Sequence, residues 1–112
     1  ISQEDGELLD RIIFYMGRDP RVFALYIDGH SDNRGRRYDN RQLSKRRAES
    51  VERYLIKKGI NPDMITLRFH GQRYPIASNN TARGRATNRR VTIRLEMRED
   101  MEIPEELLFV PD

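Results

Sequence analysis

The feature that most constrains the fold is a run of six apolar residues that leads, through a polar turn, into a long amphipathic helix. Val22–Ile27 reads VFALYI, and a continuous apolar run of this kind is typical of a strand covered on both faces. Residues 29–39 are rich in Gly, Asp, Asn and Arg, which predicts a turn. A helix then begins near Asp39 or Asn40, either of which can cap it, and extends to about Lys58.

The predicted helix carries a charged residue in the middle of its apolar face. Helical spacing places Arg47 on the same face as Leu43, Val51 and Leu55. An unpaired buried charge is costly, so Arg47 needs a negative partner. Asp32, in the turn after the strand, can supply it as an internal salt bridge. Alternatively, the two side chains together can hold a zwitterion, because Arg binds a carboxylate and Asp binds an ammonium group. Spacing alone leaves both interpretations open.

The rest of the chain predicts an α/β (α+β) sandwich. Residues 2–17 have the apolar spacing of a helix and begin with a capping box, Ser2 and Asp5. Met64–Phe69 is predicted as a short second strand and residues 71–87 as a loop. Residues 91–97 alternate strictly between apolar and polar, as a half-buried third strand does. In such a fold the helices pack on one face of a small mixed sheet.

The distribution of charge divides the chain into two parts. Residues 34–58 carry ten Lys or Arg and three acids, whereas residues 99–112 carry six acids and no Lys or Arg. We therefore expect one domain over residues 1–98 and an acidic C-terminal extension over residues 99–112. The basic segment favours an anionic partner. No run of 18 apolar residues is present, so we expect no membrane span in this chain.

The side chains give little support for catalysis or metal binding. His30, Ser31 and Asp32 are consecutive, so they cannot face one another as a catalytic triad does. The chain has no cysteine nucleophile. His30, Asp32 and His70 lack the spacing of a metal site. We expect no enzyme, no metal and no cofactor.

Nucleic acid is a second class of anionic partner. Arginines and lysines that could follow a phosphate backbone are Arg34, Arg36, Arg37, Arg41, Lys45, Arg46, Arg53, Arg83, Arg85, Arg89 and Arg90. Aromatic residues do not alternate with them as stacking platforms require, and Glu49 and Glu52 interrupt the helical ones. A solvated basic face explains the pattern at least as well, and a nucleic-acid-binding domain is kept as the alternative function.

Three motifs, in order, resemble the OmpA-like C-terminal domain family. The family's GHTD-x-x-G is similar to residues 29–35, GHSDNRG, with Ser31 in place of Thr. Its helix motif N-x-x-L-S-x-x-R-A-x-x-V-x-x-x-L is complete in residues 40–55. Its N-x-T-x-x-G-R-A-x-N-R-R-V matches residues 79–91. The three matches lie within residues 22–98.

This resemblance implies which residues form a binding site. In the family, the Asp and Arg that correspond to Asp32 and Arg47 hold the amine and the carboxylate of diaminopimelate in the peptidoglycan stem. The resemblance further implies that Asn33 and Leu43 line the pocket, with Asn88, Arg89 and Arg90 at its rim. The motif residues Asn40, Ser44 and Ala48 are expected to be structural.

The family also implies a partner and a location. We expect a non-catalytic domain of the periplasm that binds peptidoglycan, with no nucleic acid as partner, and that attaches an envelope or flagellar-motor assembly to the cell wall. Residues 32–55 are most similar to a member from the sodium-driven flagellar motor. The family's first strand normally precedes the first helix, and we expect it to be missing from this chain or supplied by another segment.

Overall fold

Residues 1–98 are the part of the chain that the computed structural model describes, and helices and strands alternate along them. In chain order the elements are α1 (Gln3–Arg18), β1 (Val22–Gly29), α2 (Arg37–Lys57), β2 (Ile65–Phe69), α3 (Ala82–Asn88) and β3 (Val91–Met97), with a 3-10 turn at Pro62–Met64. The predicted acidic extension, residues 99–112, lies outside the described residues.

The sheet is mixed, and β1 is its central strand. The strand order is β2-β1-β3, with β1 parallel to β2 and antiparallel to β3. Ile27 pairs with Leu67 on one side and with Ile93 on the other. The carboxyl ends of the parallel strands β1 and β2 therefore lie side by side, next to the start of β3.

The hydrophobic core lies between this sheet and the long helices. Leu25 and Ile27 of β1 are fully buried with Leu55 of α2, and Leu9 of α1 packs into the same cluster. The predicted α/β sandwich, with helices on one face of a small mixed sheet, is confirmed.

A glycine allows α2 to lie directly on the end of β1. A Cβ on Gly29 would overlap the carbonyl oxygen of Ser44 and press on the Cβ of Ala48. Ser44 and Ala48 are themselves fully buried. Small residues at these positions allow α2 to pack closely against the end of β1. Arg47 lies between Ser44 and Ala48 in the sequence, so this packing brings it near the strand end.

The expectation that β1 is covered on both faces is wrong within the described residues. Phe23 is 44% exposed, and Tyr26 is half-buried beneath the guanidinium groups of Arg68 and Arg94, which lie 4.4 and 5.0 Å from its ring centroid. The apolar run is continuous because aromatic residues on the second face stack with arginines, not because a second layer of helices covers them.

Two predicted boundaries also need correction. Helix α2 begins at Arg37, with Arg36 as an N-cap that makes no side-chain capping bond. Asp39 therefore lies in the first turn and pairs with Arg36, while Asn40 is buried and donates to Gln72. Helix α3 lies in the segment predicted as a loop. Its seven residues are too few for an apolar period, and its signal is Thr81, whose hydroxyl accepts from the Gly84 amide at 3.0 Å.

Candidate binding site

The turn after β1 is held in a fixed position by backbone hydrogen bonds to two other segments. The His30 amide donates to the Arg90 carbonyl at 2.8 Å, and the Ser31 amide donates to the Gly71 carbonyl at 2.9 Å. Both residues are buried. Asp32 comes next in the chain and is only 8% exposed, so its carboxylate occupies a defined place at the strand end.

The carboxylate of Asp32 binds Arg89, not Arg47. Arg89 Nη1 lies 2.7 Å from Asp32 Oδ2, and the Arg34 amide donates to Oδ1 at 2.9 Å. Burial acts to raise the pKa of Asp32, but these two hydrogen bonds and the charge of Arg89 outweigh it, so the pKa lies below its ordinary value. Asp32 is therefore ionised at neutral pH.

The guanidinium of Arg47 has a carbonyl oxygen as its partner. Arg47 Nη1 donates to the His30 carbonyl at 3.2 Å, and no carboxylate lies within 4 Å of it among residues 1–98. Burial and the nearby charge of Arg89 lower the pKa of Arg47, while Asp32 acts in the opposite direction. The interpretation of Asp32 and Arg47 as a simple internal salt bridge is thus wrong in the described part of the chain.

Asp32, Arg47 and Arg89, here called the strand-end site, combine one negative and two positive groups. An ionised carboxylate has about four acceptor positions and an arginine has five donors, and the internal bonds use only some of them. Arg47 and Arg89 also line a groove of about 710 Å³, whose apolar wall comes from α1, α2 and β3. The strand-end site therefore has guanidinium donors suited to a carboxylate and free carboxylate acceptor positions suited to an ammonium group.

The other predicted site residues lie in different environments. Asn33 is exposed in the turn beside Asp32, and Leu43 is half-buried on α2, one turn before Arg47. Arg90 lines the groove with Arg89, and its guanidinium donates to the Tyr74 carbonyl at 3.0 Å and the Asn88 carbonyl at 3.4 Å.

The expectation that Asn88 lies at the rim of a pocket is wrong. Its side chain is fully buried. Its Oδ1 accepts from the amides of Ile76 and Ala77 at 2.8 and 3.0 Å, and its Nδ2 donates to the Ala77 carbonyl and to Asn79 Oδ1 at 3.0 and 2.9 Å. All hydrogen-bonding capacity of the amide is directed at the 76–79 segment, so Asn88 holds this loop against α3 and positions Arg89, the next residue.

A second buried carboxylate near the strand end was not identified from the sequence. Asp28 is 7% exposed and accepts from Arg68 Nε and Nη2 at 2.7 and 2.9 Å, and its Oδ1 is 2.7 Å from His70 Nε2. His70 stacks on His30 with the ring centroids 5.0 Å apart. Asp28 and Arg68 are paired across β1 and β2. This pairing could have predicted their contact, but only if the register of the two strands had been known.

Two properties concern partners of other classes. Among residues 1–98, no three His, Asp or Glu side chains are grouped so that they could hold a metal ion. No helix in this range has the length and apolar character needed to cross a bilayer.

Comparison with known proteins identifies the family. The model of the OmpA family matches residues 1–89. Outer membrane protein A of Bordetella avium is 41% identical over 95 residues, which are 85% of this chain and 48% of that protein. The chain thus spans about half the length of this curated relative.

Solved structures support the same assignment. The C-terminal domain of Helicobacter pylori MotB superposes with a TM-score of 0.79 at 26% identity, covering 89% of this chain and 78% of that one. The cell wall anchor of the type VI secretion system from Pseudomonas aeruginosa has a TM-score of 0.73 at 32% identity, covering 88% and 70%.

Proposed function

This chain belongs to the OmpA family, and from that membership we propose that it binds peptidoglycan non-covalently and anchors a larger assembly to the cell wall. Members of the family are anchoring proteins and not enzymes. We further propose that the group recognised is the diaminopimelate of the stem peptide, whose free end carries an amine and a carboxylate on one carbon.

The observation that supports this proposal best is the surplus positive charge of the strand-end site. Arg89 binds Asp32, and Arg47, which is electrostatically coupled to the same aspartate, has no carboxylate partner among residues 1–98. A ligand carboxylate supplies that missing charge through the planar guanidinium fork. The ammonium of the same ligand then approaches Asp32, whose oxygens keep free acceptor positions beside Arg89.

The remaining site residues have secondary roles in this proposal. Arg89 keeps Asp32 ionised and oriented in the free protein and adds a second donor for the ligand carboxylate. Arg90 shapes the groove beside it. Asn33 and Leu43 contact the stem peptide around the zwitterionic end. Asn88 acts indirectly, because it fixes the loop that precedes Arg89.

The relatives support a location as well as a ligand. The C-terminal domain of MotB and a cell wall anchor of a secretion system share this domain's fold, and an outer membrane protein is similar to it in sequence. We propose that the domain works in the periplasm, associated with the cell wall. The assembly that it anchors, in the envelope or in a flagellar motor, is attached through parts of the protein outside this chain.

The direct test is sedimentation with purified, protein-free peptidoglycan sacculi in the presence of excess DNA as competitor. We expect the protein to sediment with sacculi, and to do so at both about 0.05 M and about 0.5 M salt, because a buried charge pair is screened little. Phosphate-backbone binding would decrease steeply over this range. Displacement by DNA, together with loss at the higher salt, would favour the nucleic-acid alternative and overturn the proposal.

A further inference from the structure

A second positively charged region lies beside the first turns of α2, on a different face of the helix from Arg47. It is a cavity of about 400 Å³, here called the basic cavity, lined by Arg37, Arg41, Phe69, His70, Gln72 and Arg73. It shares no lining residue with the groove beside Arg47. Arg41 and Arg47 are six residues apart, which places them about 120° apart around the helix.

The basic cavity concentrates like charges without neutralising them. Arg37, Arg41 and Lys45 follow one another at intervals of four, so they share one face of α2, where like charges destabilise a helix. No guanidinium of the cavity lies within 4 Å of a carboxylate among residues 1–98. Asp39, in the same turn of the helix, is paired with Arg36. Asp28, behind His70, is paired with Arg68.

The floor of the cavity is held in place by backbone packing and hydrogen bonds. Gly71 has φ +60°, and a Cβ there would lie 3.2 Å from the Arg41 amide nitrogen. The Gly71 amide donates to Ser44 Oγ at 3.0 Å, and Gln72 accepts from the buried Asn40 at 2.9 Å. These contacts hold residues 71–73 against the first turns of α2, so that Arg73 and Arg41 line the same cavity.

Aromatic rings flank the charges and orient them. Arg41 lies over the Phe69 ring with its Cζ 5.2 Å from the centroid, and Lys45 lies over the same ring at 5.6 Å. Arg73 lies over Tyr74 at 5.7 Å. A guanidinium on an aromatic face keeps its edge donors free for a second partner.

We propose that the basic cavity is a binding site for a phosphate group. Three arginines match the charge of a phosphate monoester, about −1.5 to −2 at neutral pH, better than the single charge of a carboxylate. Each arginine can donate two parallel hydrogen bonds to phosphate oxygens. Phe69 supplies an apolar surface for the organic part of the ligand. Both a soluble phosphate ester and a lipid headgroup have this chemistry.

The experiment is calorimetric titration of the protein with inorganic phosphate at constant ionic strength, with acetate as the carboxylate comparison. We expect saturable phosphate binding, weakened at least about tenfold by Arg41→Gln and by Arg73→Gln, since each removes a charge-assisted bidentate contact. Arg53→Gln removes the same charge from an exposed position of α2 outside the cavity and should leave the affinity unchanged. Thermal unfolding of each variant checks that the fold is retained.

The source of the phosphate is then assigned with vesicles. If phosphatidic acid vesicles, but not phosphatidylcholine vesicles, bind the parent protein and Arg53→Gln but not Arg41→Gln, the ligand is a lipid headgroup. If only inorganic phosphate binds, it is a soluble phosphate.

Three results would overturn the proposal. The first is the absence of saturable phosphate binding, and the second is an equal loss in Arg53→Gln, which would show a general charge effect. The third concerns sacculi, whose binding we expect Arg41→Gln to retain. Loss of phosphate and sacculus binding together in that variant would assign the cavity to the cell wall site.

Discussion

Two aspartates, four residues apart in the sequence, have similar burial but opposite surroundings. Asp28 is 7% exposed and Asp32 is 8% exposed. Asp28 receives three side-chain contacts, two from Arg68 and one from His70, which use most of its acceptor positions. Asp32 receives one from a backbone amide and one from Arg89. Arg47 has no carboxylate within 4 Å in the described chain, and the charge of Asp32 acts to raise the pKa of Arg47 against the effects of burial and of Arg89.

The difference shows that burial of a charge does not by itself mark a binding site. The set around Asp28 is balanced, because the charge of Arg68 cancels that of the carboxylate, and it lies on the strand face that the helices do not cover. The set around Asp32 carries a surplus positive charge next to a groove. A balanced set stabilises the fold, whereas an unbalanced one keeps capacity for a ligand.

The largest effect should come from removing Arg47, which has no carboxylate partner within the described chain. We expect Arg47→Ala to abolish sacculus binding, because the ligand carboxylate would lose its guanidinium partner. Losing one partner of a buried charge pair costs about 2–5 kcal/mol, roughly 30- to several thousand-fold in affinity. Arg53→Ala, on the exposed part of the same helix, is the control and should bind normally. A well-folded Arg47→Ala protein that still sediments with sacculi would refute the strand-end site.

Asp28 should show the reverse pattern. We expect Asp28→Asn to lower the free energy of unfolding by about 2–3 kcal/mol, because Arg68 loses its charged partner in a partly buried setting. Urea unfolding measures this. Below the unfolding transition, the affinity for sacculi should stay within about twofold of the parent. Weakened binding by the folded protein would mean that the Asp28 set belongs to the site.

His30 connects the two sets, because its ring stacks on His70 and its carbonyl accepts from Arg47. Its Nδ1 is buried without a hydrogen-bond partner among residues 1–98. Burial, with the charges of Arg90 and His70, lowers the pKa of His30 to about 4, although Asp28 opposes the shift. Below a pH of about 6.5, His30 is therefore protonated in the unfolded chain, whereas in the folded protein it stays neutral down to a pH of about 4.

Stability should accordingly fall as the pH is lowered from about 6.5 to about 4, by up to about 3 kcal/mol. Unfolding by urea at a series of pH values measures the slope, and His30→Phe should flatten it while keeping the stack on His70. The lowered pKa values of Asp28 and Asp32 act in the same direction only at lower pH, where those carboxylates protonate. An unchanged slope in His30→Phe would assign the loss to other groups.

A smaller effect is expected from Asp32→Asn, which keeps the shape and removes the charge. We expect binding of a diaminopimelate stem peptide to weaken by about 1.5–3 kcal/mol, the scale of a charge-assisted hydrogen bond. Asn33→Ala, at the exposed neighbouring position, should change it less. Calorimetry with the free peptide gives both values, and equal losses would show that the charge of Asp32 does not act on the ligand.

Much of this organisation could be predicted from the sequence, because it depends on hydrophobic patterns that repeat over a few neighbouring residues. The apolar run of β1, the alternation of β3 and the position of Arg47 among Leu43, Val51 and Leu55 each need only a few neighbouring residues. The alternation of predicted helices and strands then indicated that helices pack on one face of the sheet. The start of α2 was predicted too late because Arg36, the actual N-cap, has no side chain that caps a helix. Asp39 has such a side chain, but it lies in the first turn and pairs with Arg36.

The partners of the charged groups could not be predicted. Arg89 lies 57 positions after Asp32, and Arg68 lies 40 positions after Asp28. No spacing rule connects such pairs; they meet because β1 is central and the strand ends and the start of β3 converge. Asn88 was misplaced for a related reason. An amide at a motif position can bind a ligand or its own loop, and only the fold shows that it binds residues 76–79.

The central claim, that Asp32 receives an amine from the ligand, is tested most directly with a matched pair of stem peptides. One carries diaminopimelate with its free α-ammonium, and the other carries the same residue acetylated at that amine. We expect acetylation to weaken binding to the parent protein by about 1.5–3 kcal/mol or more, and the gap between the two ligands to shrink in Asp32→Asn. Equal affinities of the parent protein for both peptides would contradict the account and leave Asp32 as an internal partner of Arg89.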